Sequence, residues 1–382
     1  MHSWFHLPRN WYRQLDAGYL LLIVALVLVG LVVLSGATQG IPFLHHIWRR
    51  QAVWAAVGVM AFMLAFAVNP VFVGTLSIPV YIVNLLLLAA LFARGKMIKG
   101  AVSWFDLGPF NYQPSETMKL ATVAVLAWWL SDSAGRLTPF WKVSGAVVIC
   151  AMPATLVFLQ PDIGTAFIFI ALLFGMLFVA GVRKRVLLLG VLILVAAGTA
   201  VFPYLRPYQK ERLTSFLHPE RDQQGSGYNI IQARIALGSG RWTGKGWGEG
   251  TQTALRFLPE HHTDFVFSSL AEQFGLAGAA AVLAAFALLL QRMLALLSRC
   301  QDEFSLFLGT GSAIVLVAHI LYNLGMTLGF LPVSGLPLPF LSYGGTFLVV
   351  TLTALGLIHN AALRRFAFAA ERKRRQISHV DE

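Results

Sequence analysis

Asp264 stands in a polar run directly before a long apolar segment. A charged group at the edge of lipid is costly to hold, so its presence requires an explanation. One interpretation is structural: Thr263 caps the following helix, and Asp264 in its first turn complements the positive end of the helix dipole. The other is functional, because glycines within 225–248 allow close backbone approach and nearby Trp, Tyr and His side chains suit contacts with sugars or amides. His261 and His262 are adjacent and point in different directions, so they make poor joint metal ligands.

Other ionisable residues also lie at the ends of apolar segments. Glu116 and Lys119 follow a helix start at Pro114 and are three residues apart, which places them on one helix face. They form either an ion pair that lets two charges enter the membrane edge or one wall of a polar cavity. Asp162 lies between two apolar segments, where it either caps the second segment or borders the same cavity.

The helical pattern is interrupted near the carboxyl end of the chain. Three prolines and several glycines lie between 329 and 345. Irregular backbone at membrane depth is tolerated only when it is buried in protein or lines a wet cavity. His319 and Asn323, four residues apart on the preceding segment, share a helix face, and we interpret them as hydrogen-bonding groups of the packed interior.

These polar groups are exceptions in an apolar chain. Of its 382 residues, 57% are hydrophobic and 12% are charged, whereas soluble proteins carry about 25% charged residues. We therefore expect a membrane protein, in which each span needs about 20 mainly apolar residues in helical conformation. The first of ten such segments is interpreted as an uncleaved helix, because it is too long for a signal peptide. The segments are 17–37, 52–68, 77–93, 119–131, 140–159, 163–181, 185–202, 265–291, 305–330 and 340–363.

An even number of spans places both termini on one side of the membrane. Dense basic clusters at 183–185 and in the tail predict that this side is the cytoplasm, although Arg49, Arg50 and the cluster at 94–99 then lie outside. The predicted organisation is seven helices in 1–203, a large periplasmic loop in 204–262, three helices in 263–363 and a basic cytoplasmic tail in 364–382. A polar loop of this length is typically functional.

Charge and cysteine content argue against a nucleic-acid-binding protein and against a fold stabilised by disulfides. The formal net charge is +12, which we ascribe to Lys and Arg beside anionic lipid rather than to nucleic-acid binding. Cys150 lies inside a predicted span and Cys300 in a short loop, so they do not form a structural disulfide. The fold therefore does not depend on an oxidising compartment.

Four motifs occur together and in an order that resembles the SEDS family (shape, elongation, division and sporulation). The match covers nearly the whole chain, and Arg256-Phe257-Leu258 is closer to the RodA branch of the family than to the FtsW branch. Ser103 departs from the pattern, because the family often has an arginine there, and a neighbour such as Lys99 would have to replace it. The motifs are QPSE and a lysine at 113–119, QPDIGTA at 160–166, WGEGTQTALRFLPEHHTDF at 247–265 and GLPLPFLSYGG at 335–345.

The resemblance implies an all-α polytopic protein of the inner membrane, with about ten transmembrane helices and one large extracytoplasmic loop. It implies a glycosyltransferase that polymerises lipid II onto a glycan linked to polyprenyl pyrophosphate at the outer face of the membrane, during cell elongation. A class B penicillin-binding protein, which is a transpeptidase, is the implied partner. A divalent cation, Mg²⁺ or Mn²⁺, is also implied, whereas no organic cofactor and no nucleic acid is expected. In the family the aspartate of the matching HTDF motif, Asp264 here, is required for activity.

For that reaction we predict that Asp264 is the general base that removes the proton of the acceptor 4-hydroxyl. Pyrophosphate carries concentrated negative charge, so cations of the loop are its natural ligands. Lys245 and Arg256 are the first candidates for this role, and Arg212 is a further one.

We predict that Glu116, Lys119 and Asp162 shape the cavity. Two other functions remain open. A lipid II flippase would be expected to show inverted repeats and charges near the bilayer midplane, and no repeat is visible in this sequence. A non-catalytic scaffold for the penicillin-binding protein would not need Asp264.

Overall fold

The computed structural model describes residues 15–39, 41, 44, 46–98, 101–108, 110–131, 139–205, 207–222, 225–255 and 257–363. The predicted tail 364–382 lies outside the described residues, as do Lys99 and Arg256. Within them the helices are α1 Ala17–Ala37, α2 Ile47–Ala67, α3 Pro70–Arg94, α4 Pro114–Leu130, α5 Phe140–Leu159, α6 Ile163–Val179, α7 Lys184–Val201, α8 Pro207–Leu217, α9 Ser226–Ser239, α10 Thr251–Ala254, α11 Val266–Leu297, α12 Glu303–Leu328 and α13 Gly345–Leu363.

The ten predicted apolar segments all form long helices, and the all-α polytopic fold is confirmed. Eight of them are long and apolar enough to cross a membrane by length and composition, whereas α4 and α6 have 17 residues each. Helix α3 begins earlier than the predicted residue 77. Asn69 caps it by accepting a hydrogen bond from the amide of Val71, and Pro70 at the first position suits a helix start.

Two parts of the fold were not predicted. The connection from α3 to α4 contains a small antiparallel sheet of three strands, β1 Lys96–Ile98, β2 Ala101–Asp106 and β3 Asn111–Tyr112, in the order β1-β2-β3. The predicted polar loop contains three helices, α8, α9 and α10. Helix α9 has four buried residues, and three of them belong to a hydrophobic cluster that also contains residues of the bundle.

Contacts between distant residues define two ends of the bundle. At one end, the amide of Gln51 at the start of α2 donates to the carbonyl of Ser342, just before α13. At the other end, Asn360 near the end of α13 donates to the carbonyl of Ala65 near the end of α2. Helices α2 and α13 therefore run in the same direction. We call the end that carries residues 202–265 the loop end, and the end at which α13 finishes the tail end.

Burial differs strongly among the long helices. Most residues of α12 and α13 are buried, so these two helices lie at the centre of the bundle. Helix α7 has no buried residue and lies at the periphery, where lipid would cover its apolar side chains. Helix α12 carries two buried polar residues, His319 and Asn323.

Candidate active site

Asp264 lies in a tight turn before α11, and not in the first turn of that helix. The carbonyl of Glu260 accepts hydrogen bonds from the amides of Thr263, Asp264 and Phe265, at 3.1–3.3 Å. The side chain of Thr263 donates to the carboxylate of Glu260 at 3.0 Å, so it is not available to cap α11. The helix begins at Val266 without a side-chain cap, and the prediction that Thr263 caps it is wrong.

Helix α12 and the interrupted segment before α13 hold this turn in place. The side-chain amide of Asn323 donates to the carbonyl of Asp264 at 2.8 Å and to the carbonyl of Leu336 at 2.7 Å. The hydroxyl of Ser342 and the amide of Tyr343 donate to the carbonyls of the two residues that precede Asp264. Three successive carbonyls are thus fixed from one side. Asn323 has the role predicted for it, that of a hydrogen-bonding group in the interior.

The side chain of Asp264 borders a cavity of about 1040 Å³ at the loop end. The cavity lies between the starts of α2, α4, α6 and α13, strand β2, and the turn before α11. The described lining residues include four carboxylates and two guanidinium groups. These are Glu116, Asp162, Glu260, Asp264, Arg50 and Arg212.

Asp162 caps α6, which confirms the structural interpretation of this residue. Its two carboxylate oxygens accept from the amide and the hydroxyl of Thr165 at 3.0 and 2.8 Å. Removal from solvent raises the pKa of Asp162, and the hydrogen bonds from Thr165 and the positive charges of Lys119 and Arg212 oppose that rise. Because Asp162 also lines the cavity, both interpretations of this residue hold together.

Glu116 and Lys119 form the predicted ion pair, with the ammonium 2.8 Å from one carboxylate oxygen. Both side chains are almost fully buried, and the Lys119 ammonium lies 2.8 Å from the Nε2 atom of His319. Glu116 lines the cavity, whereas Lys119 lies behind it against the ring of Phe347. The pair therefore places one carboxylate in the cavity wall and keeps the matching charge inside the bundle.

The structure does not bring Lys245 to the cavity. Its ammonium lies 2.8 Å from the carboxylate of Glu272 and 2.7 Å from the hydroxyl of Thr251, and it is not among the described lining residues. The position of Lys245 therefore does not support contact with a pyrophosphate. Arg256 lies outside the described residues, so of the three predicted loop cations only Arg212 is placed in the described lining.

Sequence reasoning missed two charged residues of the cavity, Arg50 and Glu260. The signal for Arg50 was present, because this residue contradicts the cytoplasmic placement of basic clusters. Arg50 lies at the loop end and lines the cavity, where a guanidinium group is suited to an anionic ligand.

Ser103 also lines the cavity and is 4% exposed, and its hydroxyl has no hydrogen-bond partner in the described part of the chain.

No group of three or more His, Cys, Asp or Glu residues within the described ranges could hold a metal ion. The carboxylates of the cavity are therefore too dispersed to form a metal site from protein ligands alone. The divalent cation implied by the resemblance stays a prediction.

A family model described as "Cell cycle protein", for FtsW, RodA and SpoVE, matches residues 13–366. The chain belongs to the FtsW/RodA/SpoVE family. It is 38% identical over 350 residues to the peptidoglycan glycosyltransferase MrdB of Escherichia coli K12, covering 90% of this chain and 92% of the relative. A probable peptidoglycan glycosyltransferase FtsW of Thiomicrospira cyclica is 36% identical over 358 residues, which is 91% of each chain.

Two solved structures are similar to this FtsW/RodA/SpoVE protein over nearly its whole length. One comes from work on the coordination of polymerization and crosslinking by a peptidoglycan synthase complex, with 34% identity, a TM-score of 0.77 and coverage of 91% of this chain and 97% of that chain. The other is the rod shape determining protein RodA of Thermus thermophilus, with 30% identity, a TM-score of 0.67 and coverage of 92% and 97%. The predicted family and its RodA branch are thereby confirmed.

Proposed function

We propose that this chain is a peptidoglycan glycosyltransferase that polymerises lipid II, with Asp264 as its general base. The enzyme class follows from the family and from the relatives that carry this activity in their names. The observation that supports the role of Asp264 is its position: a carboxylate in a rigid turn borders a polar cavity that also contains Arg50 and Arg212. A base and counter-charges for phosphate are thus available in one cavity.

The proposed step is one in-line displacement. The carboxylate of Asp264 accepts the proton of the acceptor 4-hydroxyl while the hydroxyl oxygen forms a bond to the anomeric carbon of the donor sugar. The bond from that carbon to the pyrophosphate oxygen breaks, and the pyrophosphate leaves with the electron pair. A pyrophosphate needs no added proton to leave, so one carboxylate is sufficient, unlike the pair that glycoside hydrolases use. Arg50 and Arg212 would stabilise the leaving negative charge.

Glu116 and Asp162 would shape the cavity wall, with Lys119 as the buried counter-charge of Glu116. A divalent cation such as Mg²⁺ is usually held by one or two carboxylates together with phosphate oxygens of the substrate. Glu260 and Asp162 supply such oxygens in this cavity and would hold it. When bound, the cation would add positive charge opposite the pyrophosphate.

The loop end would face the periplasm, with both termini in the cytoplasm. The basic run at 183–185 lies at the start of α7, at the tail end. Arg292 and Arg299 lie near the end of α11, at the same end, which supports this orientation. Arg50 at the loop end is accounted for by the cavity that it lines. In this orientation the site meets lipid II after its transfer across the membrane, and a class B penicillin-binding protein would crosslink the product.

Replacement of the base tests the proposal. Asp264→Asn keeps the size of the side chain and removes its basicity, so we expect strand synthesis by the purified complex with its penicillin-binding partner to fall by about 10²–10⁴-fold. Asp302→Asn is the matched control, because Asp302 is a carboxylate that caps α12 at the tail end and asparagine caps a helix equally well. Near-normal synthesis of glycan strands by Asp264→Asn would refute the assignment.

A further inference from the structure

Helix α11 is broken at Gly275, and a segment of the preceding loop fills the break. Gly275 has φ +66° and ψ −167°, which is not a helical conformation. We call residues 241–246 the inserted segment. Its backbone accepts hydrogen bonds from the two amides that follow Gly275 and donates two to the carbonyls of Glu272 and Gln273, all at 2.8–3.1 Å. The groups that the break leaves without helical partners are thus satisfied, as burial in lipid requires.

The carboxylate of Glu272 joins this insertion to the next part of the loop. Its side chain is fully buried and accepts from the ammonium of Lys245 at 2.8 Å. It also accepts from the amide of Gln252 at 2.9 Å, and from the amide and hydroxyl of Thr253 at 3.3 and 3.0 Å. These amides belong to the first turn of α10. One carboxylate therefore holds the inserted segment, α10 and α11 together.

A short chain of contacts leads from α10 to the turn of Asp264. The carbonyl of Gln252 accepts from the amide of Leu258 at 3.3 Å. Three residues later, the carbonyl of His261 accepts from the hydroxyl of Ser269 at 3.2 Å, one helical turn before Glu272. The turn that carries Asp264 is thus fixed at one side by Asn323 and at the other by the group around Glu272.

We propose that Lys245 and Glu272 are positioning residues for Asp264, and that Lys245 does not bind substrate. This inference rests on the proposed role of Asp264 as the base. Loss of the Lys245 ammonium leaves the Glu272 carboxylate buried without its counter-charge, which favours local opening of α10 and the inserted segment. The base then loses its fixed distance from the acceptor hydroxyl, and a displacement of about 1 Å can lower the rate about 10²-fold.

Four variants of the full-length protein in complex with its partner test this inference: Lys245→Met, Lys245→Arg, Glu272→Gln and Arg292→Met. We expect Lys245→Met and Glu272→Gln to lower kcat by about 10-fold to 100-fold with KM for lipid II changed by less than about 3-fold, because ground-state binding is retained. Lys245→Arg keeps the charge and should recover most of kcat. Arg292 lies on the same helix as Glu272 but at the tail end, where it pairs with Asp16 at 3.5 Å, so Arg292→Met should leave kcat unchanged.

Hydrogen exchange without substrate provides a readout that does not depend on catalysis. In Lys245→Met, the amides between residues 245 and 258 should exchange at least about 10-fold faster, while those of the tail end should not change. A rise in KM with kcat and exchange unchanged would overturn the inference in favour of direct substrate contact by Lys245. Unchanged kcat in Lys245→Met would also overturn it. If Asp264→Asn remained active, the proposed base would be wrong, whereas faster exchange in Lys245→Met would still show that the pair orders the loop.

Discussion

Asn323 allows the rigidity of the Asp264 turn to be tested separately from the chemistry of its carboxylate. Its side-chain amide donates at 2.8 and 2.7 Å to the carbonyls of Asp264 and Leu336, and the residue is fully buried. Leucine has nearly the same shape and no donor, so Asn323→Leu leaves both carbonyls without this partner. Each buried carbonyl left unpaired costs about 1–3 kcal/mol, which gives about 2–6 kcal/mol for the pair. Because the hydrogen bond from Asn323 to the Asp264 carbonyl is only partly buried, we expect the lower part of this range, about 2–4 kcal/mol.

Asn360 is the matched control for this measurement. It is also a buried asparagine, and its side-chain amide donates to the carbonyls of Ala65, Phe66 and Val68, but it lies at the tail end. Both leucine variants should therefore lose similar stability in thermal unfolding, whereas only Asn323→Leu should lose about 10²-fold in kcat for strand synthesis by the folded fraction. Equal kcat in the two variants would refute the conclusion that the Asn323 contacts position the base.

Two further predictions concern the cavity wall. Arg50→Met should raise KM for lipid II about 10-fold, because hydrogen bonds to charged groups contribute about 1.5–3 kcal/mol. Arg49→Met should leave KM unchanged, because the Arg49 side chain lies over the ring of Trp48. Steady-state kinetics of both variants measure this difference. Burial raises the pKa of Asp162, so the folded state holds this proton more tightly than the unfolded state does. The free energy of unfolding therefore decreases as the pH rises above the unfolded pKa of about 3.9, because the carboxylate is then ionised at a buried position. Asp162→Asn should therefore have a higher Tm than wild type at pH 7, and thermal unfolding should show the two curves converging below about pH 4; a variant less stable at pH 7 would contradict the burial argument.

The features that could be predicted from the sequence have strong local causes. The long helices follow from runs of apolar residues that have no alternative in lipid. The Glu116–Lys119 pair follows from spacing on one helix face, and the cap at Asp162 follows from its place between two apolar runs. Each of these predictions uses residues that are close together in the chain.

The features that were missed depend on contacts between distant parts of the chain. The Thr263 cap failed because Glu260 competes for the hydroxyl of Thr263, and the hydrogen-bonding pattern of the turn cannot be read from helix-start statistics. Gly275 gives no sign of a helix break by itself, because the break is stable only when the inserted segment satisfies its backbone groups. The pairing of Lys245 with Glu272 could not be predicted, because Glu272 lies 27 residues further along the chain inside an apolar helix.

The described cations of the loop end have two kinds of surroundings. Lys245 is neutralised within the protein, because a fully buried carboxylate lies 2.8 Å from its ammonium. Arg50 and Arg212 line the cavity that Asp264 also borders. In the proposed orientation the loop end faces the periplasm, where translocation disfavours cations, so those that lie there need a compensating role. The Glu272 carboxylate accounts for Lys245, and under the proposed function a substrate phosphate would account for Arg50. This difference is the reason for proposing a positioning role for Lys245 and a binding role for Arg50.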